Sequence, residues 1–169
     1  MRVLTLSPGA AGGTPKPTRS FAAIFDSGDE PIAGLKAAAR EARLDAAQLT
    51  GIGAFESAIV GWFDLAARDY RRIEVAEQVE VVSFLGDITL GPPDSDEPTV
   101  HVHVVLGRAD GSLVGGHLLV GRVRPTLEVL ITEAPVELRR RHDPATGLAL
   151  IDRTESAAPN DRRAPEGAA

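Results

Sequence analysis

Three of the four histidines in this chain fall within one stretch, Pro98–Val120, PTVHVHVVLGRADGSLVGGHLLV. Its first run alternates. Val100, Val102, Val104 and Leu106 share one side, and His101, His103 and Val105 the other, because strand side chains switch faces with period two. Ala109-Asp110-Gly111 suits a three-residue hairpin loop with Gly111 in the left-handed position. That loop sets Arg108 opposite Ser112 and, counting back, His103 opposite His117. A loop one residue longer or shorter would send His117 to the other face. With the three-residue loop, His101, His103 and His117 converge on one patch of sheet. Neutral imidazole is a common ligand for Zn²⁺, and three protein ligands leave a coordination position open, as in catalytic rather than structural zinc sites. Half-buried histidines bonded to backbone are the competing account of the same pattern. His142 lies in a separate polar run and is not expected to join them.

Four further groups bear on chemistry. Gly115-Gly116, directly before His117, reads as a bulge or twist, or as space above an ion for a ligand or another backbone. Glu128 sits among Leu127, Val129 and Leu130. A solvent-facing edge residue is the simpler account, and an acceptor for an imidazole N–H or a general base beside a metal is the sharper one. Arg139-Arg140-Arg141-His142 reads as a solvated strand face or, alternatively, a contact for nucleic acid. Arg122-Val123-Arg124-Pro125 lacks the central glycine of an AT-hook and lies inside an expected strand, so it is not one.

The elements that must position these residues are mostly strands. Arg19–Phe25 reads as a strand, and Asp26–Asp29 as a turn into a helix with Asp29 or Glu30 near its cap and Pro31 in its first turn. Ile32, Leu35, Ala38, Ala39 and Ala42 form its apolar stripe. Ala46–Ile52, Glu56–Asp64, Tyr70–Val75 and Val79–Leu90 follow as strands, with Gly86 a candidate bulge. Beyond the hairpin, Arg122–Glu133 is the last long strand, and Pro125 argues for an edge or a strand start there. The expected fold is α+β: one main helix packed on a strongly twisted, mostly antiparallel β-sheet. Residues 1–18, rich in Gly and Pro, read as a flexible arm, 19–151 as a single domain, and 152–169 as a disordered tail.

Composition bounds the function. The 169 residues carry 43% hydrophobic and 25% charged side chains, which suits a soluble globular domain. No apolar run is long enough to span a bilayer, so no membrane role is expected. The absence of cysteine removes thiolate metal sites and fits a cytoplasmic location. A formal net charge of −6 opposes binding of duplex DNA by the bulk surface.

Gly51-Ile52-Gly53-Ala54, Gly61-Trp62-Phe63-Asp64, Ser83-Phe84-Leu85-Gly86-Asp87-Ile88, Val100-His101-Val102-His103 and Val114-Gly115-Gly116-His117-Leu118 occur in this order. From Arg19 to Glu133 the chain resembles the PPC domain, the plants and prokaryotes conserved domain. The resemblance implies a compact α+β homotrimer and a metal site of His101, His103 and His117. In plants the domain follows AT-hooks in nuclear DNA-binding proteins and mediates protein contacts; prokaryotic stand-alone members take a DNA-binding label by that association. The fold is also similar to that of acetolactate decarboxylase, a zinc enzyme with an H-x-H pair. The leading expectation is a homotrimeric regulatory protein with a three-histidine site for zinc or another divalent transition metal, acting through protein partners or DNA. The alternative is a zinc enzyme, decarboxylase- or hydrolase-like, acting on a small anionic metabolite, with Glu128 its candidate catalytic residue.

Overall fold

The computed structural model describes residues 18–92 and 94–152. The expected N-terminal arm and C-terminal tail fall almost wholly outside the described residues.

Strand β1 (Ser20–Asp26) leads through a turn into helix α1 (Pro31–Ala42). Glu30 is the N-cap: its carboxylate accepts from the backbone N–H of Ile32 at 3.2 Å and Ala33 at 2.7 Å, satisfying donors that the first turn leaves open. Asp29 instead accepts from the N–H of Asp26. Pro31 opens the helix, where its missing N–H has no cost. The stripe expected from the sequence buries Leu35 and Ala39 completely. At Gly34 the helix comes so close to the Phe25 ring that a Cβ would lie 2.5 Å from it.

Strands β2 (Ala46–Asp64), β3 (Asp69–Val75), β4 (Val79–Leu90), β5 (Pro98–Gly107) and β6 (Leu113–Glu133) complete the main sheet, in order β1-β6-β5-β4-β2-β3. All its pairings are antiparallel. β2 also pairs with β6, so β2, β4, β5 and β6 form a closed circuit. Phe55, Phe84, Leu49, Ile88, Leu106 and Leu127 fill its interior. Closure removes the unpaired edges that an open sheet would expose on these strands. The α+β expectation holds.

Two boundaries differ from the sequence reading. Ala46–Ile52 and Glu56–Asp64 are halves of one strand, β2, and Arg122–Glu133 continues from the hairpin as the second half of β6. Both strands bend at register shifts rather than ending. Pro125 neither starts β6 nor needs an edge: β2 pairs with Val123 and with Leu127, and Pro125 falls at the register shift between them, where no ladder N–H is required. Nor is Gly86 the bulge in β4. Val82 is, unpaired between Val81 and Ser83, while Gly86 pairs regularly with Val102. Gly86 is required for close approach instead, because a Cβ there would lie 2.3 Å from the His101 carbonyl oxygen.

A small hairpin follows, β7 (Arg140–His142) with β8 (Ala149–Ile151). The bridge from Leu90 to Arg139 and the Leu90 N–H to Leu138 carbonyl bond, 2.8 Å, anchor it at the end of β4.

Candidate metal centre and its cavity

The hairpin that carries the histidines has the expected loop. Arg108 N–H donates to the Ser112 carbonyl at 2.9 Å, and Gly111, at φ 82°, takes the left-handed position open to glycine. His103 therefore pairs with His117. Val100, Val102, Val104 and Leu106 are buried in the core. His101 and His103 face the other way, out of the barrel.

One nitrogen from each of His101, His103 and His117 lies within 4.8 Å of the other two. The Nε2 atoms of His101 and His103 are 3.2 Å apart. Two nitrogens bound to one tetrahedral zinc at 2.0–2.1 Å would stand about 3.3 Å apart, so the pair suits a shared ion. His117 Nδ1 is buried with no hydrogen-bond partner among the described residues. His142 lies exposed on β7 and is not in this group.

Burial, followed by the charges of His101, His103 and Arg140, lowers the His117 pKa from 6.5 to about 4. His103 is also lowered, by burial and then by His101. Both imidazoles are thus held neutral, the form a metal requires.

Close backbone packing brings the third histidine in. At Gly116 a Cβ would lie 2.6 Å from the Gly61 carbonyl oxygen, and at Gly115 one would lie 2.6 Å from that of Val104. The glycine pair lets β6 pass tightly between β2 and β5; this requirement is met whether or not a ligand occupies space there. Gly61 has a second task. A Cβ on it would lie 2.6 Å from Tyr70 Cδ1, so its absence lets the Tyr70 ring lie over β2 and stack on His117, with centroids 4.9 Å apart. Phe63 meets Tyr70 edge-on at 5.0 Å.

Three participants were not apparent from the sequence. Arg140, 8% exposed, donates to both carboxylate oxygens of Asp87 at 2.8 and 3.0 Å and to the Ala149 carbonyl at 2.8 Å. Its NH2 group and an Asp87 oxygen also approach His101 Nδ1, at 3.1 and 3.7 Å. Burial alone would push the Asp87 carboxyl up, but Arg140 and His101 beside it outweigh this and hold it below the usual carboxylate range. At 3.7 Å the Asp87 carboxylate lies beyond hydrogen-bond reach of His101 Nδ1 and acts there as a nearby negative charge. Tyr70 is the third, its pKa raised by burial against the opposing charge of Arg140. These groups come from β4, β3 and β7. The available signal was Asp87 in the quoted motif around Phe84; the registers that bring it to His101 are set by loops whose geometry the sequence does not specify.

Above the histidines lies a cavity of about 760 Å³, walled by β2 and β3 on one side and by β7–β8 on the other. Glu128 does not line it. It is exposed, eleven positions after His117 on β6, and borders a separate groove beside Ile52 and Val82. At roughly 3.3 Å per residue that offset carries it to the far part of the strand. The Arg139–Arg141 run is not a solvated strand face either: Arg139 is 5% exposed, paired with Glu137 and Asp96, Arg140 is buried on Asp87, and Arg141 pairs with Asp152.

The profile of the Plants and Prokaryotes Conserved (PCC) domain matches residues 12–135. The chain belongs to the PCC domain family. This is the PPC domain that the ordered motifs resemble. Among solved structures, the chain is similar to a metal-containing protein from Archaeoglobus fulgidus, at 31% identity and TM-score 0.72, over 89% of this chain and 99% of that one. It is also similar to a plant- and prokaryote-conserved protein from Pyrococcus horikoshii, at 28% identity and TM-score 0.73, over 79% and 91%. A Bacteroides thetaiotaomicron protein with a provisional DNA-binding label aligns at 23% identity and TM-score 0.73, over 79% and 91%, which shows the shared PCC fold. No curated protein matches the chain. No helix among the described residues is long and apolar enough to cross a membrane.

Proposed function

We propose that this chain is a cytoplasmic metalloprotein in which His101, His103 and His117 hold a divalent transition metal, zinc foremost, and leave a coordination position open to a small anionic metabolite. The convergence of the three nitrogens on one point at the floor of a cavity carries this reading. The metal-containing relative from Archaeoglobus supports it. When bound, the metal would polarise a carbonyl or activate water. The chain's own residues would place the Asp87 negative charge behind His101, shield His117 beneath Tyr70, and keep bulk water from one side with the β7–β8 hairpin.

The small-molecule reading is favoured over DNA binding by the fate of the basic run. Arg139, Arg140 and Arg141 are all engaged by carboxylates, which leaves little of that run to neutralise phosphates. Self-association as a homotrimer is also proposed. Ile24, Ile52, Val82, Leu85 and Leu130, each more than half exposed, share the outer face of neighbouring strands around Glu128, an apolar patch that a further copy would cover.

Elemental analysis of protein purified without chelator or affinity tag tests the metal. The expected result is one divalent metal per chain, lost in His103→Ala and His117→Ala variants that retain the wild-type circular dichroism spectrum. Metal-free protein that also fails to take up zinc at micromolar concentration would overturn the reading.

A further inference from the structure

The walls of the histidine cavity differ in chemistry. The metal side is polar, with the three imidazoles and the buried Arg140–Asp87 pair behind them. The apolar lining comes from Phe63 on β2 and from Leu148 and Leu150 on the hairpin side. Leu150 is 43% exposed at its rim. Arg68 stands at the same mouth, exposed, with no carboxylate partner among the described residues. Its stem lies along the β7–β8 turn, close enough that a Cβ on Gly147 would fall 3.4 Å from Arg68 Cβ. A metal floor and one free guanidinium suit a single carboxylate, which takes a point charge at one end and a planar fork at the other. The volume is within the range of small-molecule sites, about 300–1,000 Å³, and such sites pair a mostly apolar lining with few polar groups.

We propose that the cavity binds a small carboxylate with an apolar body, its carboxylate between the three-histidine centre and Arg68 and its body against Phe63, Leu148 and Leu150. This rests on the metal reading above and adds the ligand class to it. The leucines come from the β7–β8 hairpin, beyond residue 135 where the family match ends, and Phe63 from within it.

Trp62 is the chain's only tryptophan and lines this cavity, so its emission reports on it directly. Full-length protein, metal-free and zinc-loaded, is titrated with benzoate, acetate and benzyl alcohol, with calorimetry and Trp62 fluorescence as parallel readouts. Zinc-loaded protein is expected to bind benzoate about tenfold more tightly than either acetate, which lacks the body, or benzyl alcohol, which lacks the charge. Arg68→Ala should weaken benzoate about tenfold and leave zinc affinity unchanged. Leu150→Ser should erase the preference for benzoate over acetate. Both positions are at the rim, and neither substitution opens the core. Stoichiometric zinc binding with no preference for benzoate would overturn the ligand class and leave the metal reading standing. Benzoate binding without zinc binding would keep the ligand class and overturn the metal reading; failure of both would overturn both.

Discussion

At the scale of single residues, the histidines follow from two local rules, strand alternation and loop length, and both are written in contiguous sequence. That is why His103 opposite His117 was legible. Tyr70, Asp87 and Arg140 reach the same point from three other strands, and no local rule links their positions to it. The lowered pKa of His117 has a consequence for stability. Its folded-state value, about 4, lies below the unfolded 6.5, so between these values the unfolded chain binds the proton and the folded chain refuses it. Metal-free protein is therefore expected to keep this contribution above pH 6.5 and lose it as pH falls toward 4. Denaturant midpoints measured across that window check this, and His117→Gln should flatten the slope. The packing of Tyr70 gives a second test. Gly61→Ala places a methyl within 2.6 Å of its ring and should cost about 1–3 kcal/mol by overpacking, read by chemical denaturation, with a shift of the His117 imidazole resonances.

At the scale of elements, the sequence marks β2 and β6 as two strands each, because Gly53 and Pro125 resemble strand ends. In the fold they are points where a continuous strand changes register and bends around the barrel. In sequence Arg139–His142 reads as a solvated strand face, because its arginines carry no mark of the carboxylates that meet them. Arg140 joins this hairpin to the barrel through Asp87. Asp87→Asn leaves a buried guanidinium without its counter-charge. Breaking a fully buried pair costs about 3–5 kcal/mol; with Asp87 31% exposed, about 2 kcal/mol is expected. Hydrogen exchange should show faster amide exchange in Arg140–Ile151 with β5 unchanged. Equal loss of protection throughout the sheet would show that the hairpin is not held separately by this pair.

At the scale of the whole molecule, the apolar outer face and the net charge make opposite demands on partners. The first favours another copy of the chain, and the second disfavours a polyanion. Light scattering at micromolar concentration is expected to give a trimer, and Ile52→Lys, on a residue 62% exposed, should shift it to monomer without loss of fold. Labelled duplex, AT-rich and mixed, should show weak or no binding at physiological salt. Submicromolar affinity with a steep salt slope, lost on changing Arg139, Arg140 and Arg141 to Ala in variants that remain folded, would restore the DNA-binding reading.

The closed circuit of strands also orders events in time. Pairing β2 with β6 joins residues as distant in sequence as Ala47 and Glu133, whereas His103 and His117 meet across a three-residue loop. Local hairpins form in microseconds, and long-range strand pairing is the slow part of such topologies. On those timescales the histidine hairpin is expected to form before the barrel shuts. An ion that bridges the two strands at this stage would hold their register while the rest of the chain searches. Refolding by stopped flow should accordingly run faster with zinc present, and the gain should vanish when His103 is replaced.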